Sequence, residues 1–114
     1  MKITISGEDT IAVRLAEALM HEHEVTMIIP KNVENPVFDT LNVQTFRGSQ
    51  TSSKLLKEAC IFDADLFVAC GKADETNLVA CAEAKRMRAK KVVCFLRGQA
   101  VQTNENDAAQ LART

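Results

Sequence analysis

Residues 5–12 read Ile-Ser-Gly-Glu-Asp-Thr-Ile-Ala and lie between a short apolar run and a helical pattern. A phosphate-binding loop is expected where a strand turns into a helix, because backbone N–H groups there can face an anion. In the dinucleotide fingerprint G-x-G-x-x-G, the glycines serve a tight turn, close approach of the pyrophosphate and close helix packing. The same positions here hold Gly7, Asp9 and Ala12. Gly7 keeps the turn and Ala12 keeps the packing, but Asp9 and its neighbour Glu8 put negative charge where phosphates would lie. Repulsion and lost backbone access at that range weaken phosphate binding. An acid ending the second strand, which would hold ribose hydroxyls, is also missing, since Ile29 and Pro30 stand there. Lys31, Arg47, Lys72 and Arg97 fall at or beside strand ends, where they can hold an anion from other directions or serve as solvated surface charge.

Other chemistries find less support. Acids just after strand one are what a phospho-receiver domain uses to hold magnesium. Such a domain also needs an aspartate ending strand three and a lysine ending strand five, and those places hold Phe46–Arg47 and Leu96–Arg97. The four cysteines, Cys60, Cys70, Cys81 and Cys94, show no C-x-x-C spacing and sit in apolar stretches, which reads as buried, reduced thiols packing as small hydrophobes. His21 and His23 flank Glu22 at a helix end and read as solvated. No Ser/His/Asp set, metal-ligand cluster or catalytic carboxylate pair converges on the strand ends, so no enzymatic activity is expected.

A chain of 114 residues with 46% hydrophobic and 25% charged residues is expected to form one domain with a single core. The net charge of −1 argues against nucleic acid and anionic membrane surfaces, which call for a basic excess. The aromatics are all phenylalanine and make up 4% of the chain, too few for a base-stacking platform. No signal peptide is seen, and no apolar run reaches the roughly 18 residues of a membrane span. No direct membrane insertion and a cytoplasmic location are therefore expected.

The elements that must position these residues alternate. Apolar, β-branched runs at 2–6, 24–29, 43–46, 64–70 and 91–96 read as buried strands. Asp9 or Thr10 can cap a first helix whose face is Ile11, Leu15 and Leu19, with Ala12 and Ala16 beside them. Residues 31–42, carrying Pro36, read as a loop with one short turn. Ser and Thr of "SQTSS" offer N-caps to a helix with Leu55, Leu56, Ala59 and Cys60 along its face. Asp74 opens and can cap the next helix, which carries Leu78, Cys81, Ala82 and Lys85. The pattern predicts an α/β fold: a Rossmann-like doubly wound parallel sheet of about five strands in a three-layer α/β/α sandwich. Ligands of such sheets bind beyond the carboxyl ends of the strands. The site is therefore expected from Gly7–Thr10, Ile29–Lys31, Arg47–Gln50, Cys70–Asp74 and Arg97–Gly98.

The stretch 48–87 resembles the N-terminal domain of TrkA-type potassium-uptake regulators, the RCK or KTN domains. The resemblance rests on Gly48 after strand three, Asp63-Ala64-Asp65, the apolar strand that follows, Asp74-Glu75-Thr76-Asn77, and Leu78-Val79-Ala80-Cys81. "MKITISG" and "LAEALMHEHEVTMI" match the same family, so it covers roughly residues 1–98. The resemblance implies binding of NAD(H) or an adenine nucleotide, dimerisation, and transmission of ligand state to a membrane potassium transporter or channel subunit without catalysis. The location implied is cytoplasmic, peripheral to the inner face of the cell membrane. Carried over by position, the nucleotide loop is Gly7, Glu8, Asp9 and Thr10, running to Ala12, and the ribose position is Ile29 or Pro30, followed by Lys31. The adenine-side turn is Gly48, Ser49, Gln50 and Thr51, and Cys70, Gly71, Lys72 and Asp74 line the remaining wall.

The departures fall on those ligand positions. Ser49 replaces the family's acid, Gln50 its next glycine, and Phe95 its usual arginine in strand five, although Arg97 keeps the second one. The expectation is a homodimeric, non-catalytic regulatory domain with weakened or altered nucleotide binding. An intact NAD(H)-binding sensor, or a fragment of an NAD-dependent oxidoreductase, is the alternative, and a scaffold that binds no nucleotide is a third. The family continues past strand five with a helix, a sixth strand and often a second ligand-sensing domain. Residues 99–114 are read instead as a polar tail with weak helical character near Asp107–Leu111.

Overall fold

The structure is a computed structural model that describes residues 1–96 and the backbone of 99–103. Strands β1 (Lys2–Ser6), β2 (Glu24–Ile29), β3 (Gln44–Arg47), β4 (Leu66–Ala69) and β5 (Val92–Leu96) alternate with helices α1 (Thr10–Leu19), α2 (Val37–Thr40), α3 (Ser53–Glu58) and α4 (Asp74–Arg86). A 3-10 turn at Ile61–Asp63 leads into β4. The five strands are parallel, in the order β3-β2-β1-β4-β5. Strand order reverses at β1, so the switch point lies between β1 and β4.

The sheet carries a further strand, β6 (Gln99–Thr103), antiparallel to β5 with Val92 opposite Thr103 and Leu96 opposite Gln99. This corrects the expectation of a polar tail from residue 99. Pairing is a backbone transaction, and the unpaired N–H and C=O groups along β5 accept a strand whatever its side-chain polarity. Asp107–Leu111, read as weakly helical, lies outside the described residues, as do Arg97 and Gly98.

Period-two alternation divides β1 cleanly. Ile3 and Ile5 enter the core beneath α1 and α2, with Ala12, Ala16, Met27, Ile29 and Phe38. The opposite core, beneath α3 and α4, gathers Ile28, Leu56, Phe67, Ala80, Ala84, Val92 and Cys94. Thr4 and Ser6, the alternate residues of β1, are buried and polar. Such groups need hydrogen-bond partners once removed from water.

The helix faces match the sequence expectation in part. In α1 the fully buried residues are Ala12 and Ala16, while Ile11 is 49% exposed. Small residues let the helix approach the strands closely, and the larger ones flank the contact. In α4 the buried set is Asn77, Ala80, Cys81 and Ala84, and Ala82 is exposed. Ser52 caps α3, its hydroxyl accepting from the Leu55 N–H at 3.2 Å. Cys60 is not buried; it leaves α3 in the left-handed region at φ 58° and is exposed. The other three thiols are buried and free.

Candidate functional site

At the carboxyl ends of the parallel strands the loops after β1, β2, β3 and β4 enclose a cleft of about 610 Å³. That volume falls within the range of small-molecule sites. Ser6, Gly7 and Glu8 come from the end of β1, Pro30 and Lys31 follow β2, and Gly48, Ser49 and Gln50 follow β3. Gly71, Lys72, Ala73 and Thr76 complete the wall. Asp9, Thr10, Ile29, Thr51, Cys70 and Asp74, also expected at the site, do not line it.

Each of the last group has a local explanation. Asp9 stands at the N-cap of α1 but its carboxylate makes no cap bond. Thr10 is exposed in the first turn of α1, and Thr51 packs locally, its hydroxyl 2.8 Å from the Ser49 hydroxyl. The Ile29 side chain is fully buried in the core under α1. Ala73, not Asp74, is the N-cap of α4, so Asp74 lies in the first turn with Glu75. There both carboxylates complement the helix dipole without capping.

Cys70 extends the sheet beyond β4, its N–H donating to Ser6 O at 2.8 Å. Burial, and then the charges of Asp9 and Glu8, push the Cys70 thiol up to about 12. It remains a protonated, unreactive thiol at neutral pH. The same residue explains Gly7. A Cβ there would stand 2.8 Å from Cys70 O and 3.0 Å from Cys70 Sγ. The glycine is thus required by the close approach of the β1 and β4 ends, before any ligand is considered.

Gln50 reaches across the cleft. Its Oε1 accepts a hydrogen bond from the Ser6 hydroxyl. Its Nε2 donates to Asn77 Oδ1 at 3.0 Å and to Thr76 Oγ1 at 3.2 Å. Asn77, fully buried, is the hub on the far side. Its Oδ1 also accepts from the Gly71 N–H at 2.8 Å, and its Nδ2 donates to Gly71 O and Phe95 O, both at 2.9 Å. All four hydrogen-bonding sites of that amide are used. Sequence reasoning placed Asn77 in a family motif and did not assign it to the site; Ser6, Ile28 and Thr76 were missed as well, while Ala73 falls within the expected stretch Cys70–Asp74. The alternation of β1, which turns Ser6 to the α3–α4 side, was a signal that could have found it.

Of the cations expected at the rim, Lys31 and Lys72 line the cleft. Arg47 is turned away, donating from Nη1 to Val33 O at 2.7 Å. Glu8 sets an acid against the two lysines. No acidic side chain stands at the end of β2, where Ile29, Pro30 and Lys31 follow one another. Gln50, bonded to Ser6, Thr76 and Asn77, and Glu8 of the β1 loop both line the cleft at the switch point. Among the described residues no group of three or more His, Cys, Asp or Glu side chains could hold a metal ion, and no helix is long and apolar enough to cross a membrane.

A doubly wound sheet with a cleft at the β1–β4 switch point defines the broad class of nucleotide-binding folds. The profile of the TrkA-N domain matches residues 3–113, and the chain belongs to that family. It is 38% identical over 115 residues to the Trk system potassium uptake protein TrkA of Halomonas elongata, covering 95% of this chain and 25% of the relative. A TrkA homolog of Archaeoglobus fulgidus is 34% identical over 94 residues, covering 82% of this chain and 21% of the relative. The chain thus spans about a quarter or less of these relatives. Among solved structures, the Kef C-terminal domain of Shewanella denitrificans in its AMP-bound form superposes with a TM-score of 0.60 at 17% identity. That match covers 75% of this chain and 52% of the other, and shows the shared fold.

Proposed function

We propose that the chain is a non-catalytic regulatory domain of a potassium-uptake system, acting as a homodimer with a membrane potassium transporter or channel subunit on the cytoplasmic side. Membership of the TrkA-N family supports the potassium role. Its cleft takes an adenine nucleotide weakly and has given up the usual lay of NAD(H). The observation that carries this is the cleft itself: an opening of about 610 Å³ at the switch point, flanked by Glu8 and with no acidic side chain at the end of β2. A mononucleotide asks less of such a site than a dinucleotide, because it need not run from one half of the sheet to the other.

A calorimetric screen of NAD, NADH, ATP, ADP and AMP on the purified chain tests this. Adenine mononucleotides are expected to bind with Kd on the order of 1 mM, and NAD(H) to give no thermal shift at comparable concentration. Clear stabilisation by NADH, which mass action demands of any true ligand, would overturn the proposal. One observation favours the second reading, an intact NAD(H) sensor: Asp9 does not line the cleft. That reading expects Asp9→Gly to leave NAD(H) affinity unchanged, whereas a large gain on Asp9→Gly identifies the carboxylate as the obstacle.

A further inference from the structure

We propose that Gln50 is a built-in occupant of the cleft, a side chain that must swing out before an adenine nucleotide can lie over the β1–β4 switch point. This rests on the nucleotide reading above and deepens it. Gln50 leaves the β3–α3 loop and ties β1 to α4, with Ser6 on one side and Thr76 and Asn77 on the other. A ligand crossing from the β1 loop toward α4 must pass through that line. The bridge also consumes polar groups that a ligand would use, namely the Ser6 hydroxyl and the Thr76 oxygen.

The closed form is self-sufficient. Among the described residues no buried side-chain nitrogen or oxygen lacks a hydrogen-bond partner, so the buried polar side chains beneath the cleft, Ser6 and Asn77, are paired within the protein. Gly71 makes room for the arrangement, since a Cβ there would stand 3.1 Å from Gln50 Nε2. The neighbours of Gln50 are held separately: the Thr51 N–H donates to Ser49 Oγ at 3.2 Å, and the Ser52 N–H donates to Ser49 O at 3.1 Å. Opening therefore requires rotation of one half-buried side chain rather than refolding of the loop. Three hydrogen bonds of ordinary net strength hold the open form to about one molecule in ten or fewer. Apparent affinity is reduced by the same factor.

The test compares ATP, ADP and AMP binding by calorimetry on the full chain and on Gln50→Ala. Gln50→Asn serves as a second variant, because it keeps the amide but is one methylene too short to span from Ser6 to Asn77. Both variants are expected to bind at least about tenfold more tightly than the parent chain. A readout independent of ligand is the side-chain NH₂ pair of Gln50 in ¹⁵N spectra, assigned by its loss in Gln50→Ala. It is expected to exchange slowly with solvent in the free chain and faster once nucleotide is bound. Equal nucleotide affinity in all three chains overturns the occupant role and leaves the nucleotide reading standing. Carboxamide exchange as fast as that of an open glutamine also overturns the occupant role. Absence of binding by the parent and both variants overturns the nucleotide reading and this proposal with it.

Discussion

Replacing Asn77 tests how the cleft wall is held. Its side chain is fully buried and makes four hydrogen bonds: to the Gly71 N–H, Gly71 O, Phe95 O and Gln50 Nε2, at 2.8, 2.9, 2.9 and 3.0 Å. Asn77→Ala removes the side-chain partner of three partly buried backbone groups and one of the two acceptors of Gln50 Nε2. A buried group left unpaired costs about 1–3 kcal/mol. Water entering the vacated space recovers part of this, giving a net loss of about 3 kcal/mol. For a domain of this size that lowers Tm by roughly 10–20 °C, readable by calorimetry or circular dichroism. Asn77→Asp sharpens the test. The carboxylate can still accept from the Gly71 N–H but faces the Gly71 and Phe95 carbonyls with no donor. Burial and those carbonyls raise its folded-state pKa above the unfolded value. The stability of that variant is then greatest in acid, where the carboxyl is protonated, and is lost as pH rises through the raised pKa. A melting point for Asn77→Ala within about 2 °C of the parent would refute the hub role, as the expected shift is several times larger.

Two further outcomes follow from contacts elsewhere. Gly7→Ala is expected to lower stability by about 3 kcal/mol, because its Cβ would press on the Cys70 carbonyl, which cannot move without breaking the β1–β4 pairing. Adding Cys70→Ala should restore little, since the closest clash is with backbone, and full rescue would show that the sulfur alone set the limit. At the opposite end of the sheet, the Lys2 backbone N–H and then Lys90 hold the Asp65 carboxyl below its usual range. A depressed acid contributes stability above its unfolded pKa, and this contribution is lost as pH falls through the folded one. The drop in Tm between about pH 6 and about pH 3 should therefore be smaller for Asp65→Asn than for the parent; equal drops would remove Asp65 from the acid response.

The parallel strands were legible because β1, β2, β4 and β5 are short apolar runs with residues packed on both faces of the sheet, and composition carries that directly. Strand β3 is marked by Thr45 and Phe46 between turn residues. The helix faces were legible in part: Ala12, Ala16, Leu56 and Cys81 were read on the inward faces and are buried, whereas Ile11 and Ala82 are exposed and the buried Ala80 and Ala84 gave no signal beside larger residues. At the site, position along the chain located the strand-end loops but could not orient their side chains. Gln50 registered as a residue of the adenine-side turn standing in for a glycine, but nothing in the sequence showed that its length and two-sided amide let it join Ser6 to Asn77. Asp9 registered as an obstacle because the motif places it beside a phosphate, yet it lies outside the cleft and Glu8 lines it instead. Strand β6 escaped notice because its partner is the edge of β5, a tertiary feature that no local pattern encodes.

The direction of β6 decides where the polypeptide leaves the sheet. Because it runs back along β5, with Thr103 opposite Val92, the backbone at Thr103 has returned to the amino pole of the parallel strands, while the cleft occupies the carboxyl pole. The two are separated by the length of β5, on the order of 17 Å at the usual rise per residue. The chain therefore leaves the described sheet at the pole remote from the cleft. Between that exit and the cleft lies the body of the sheet, with the β1–β4–β5 ladder running through it.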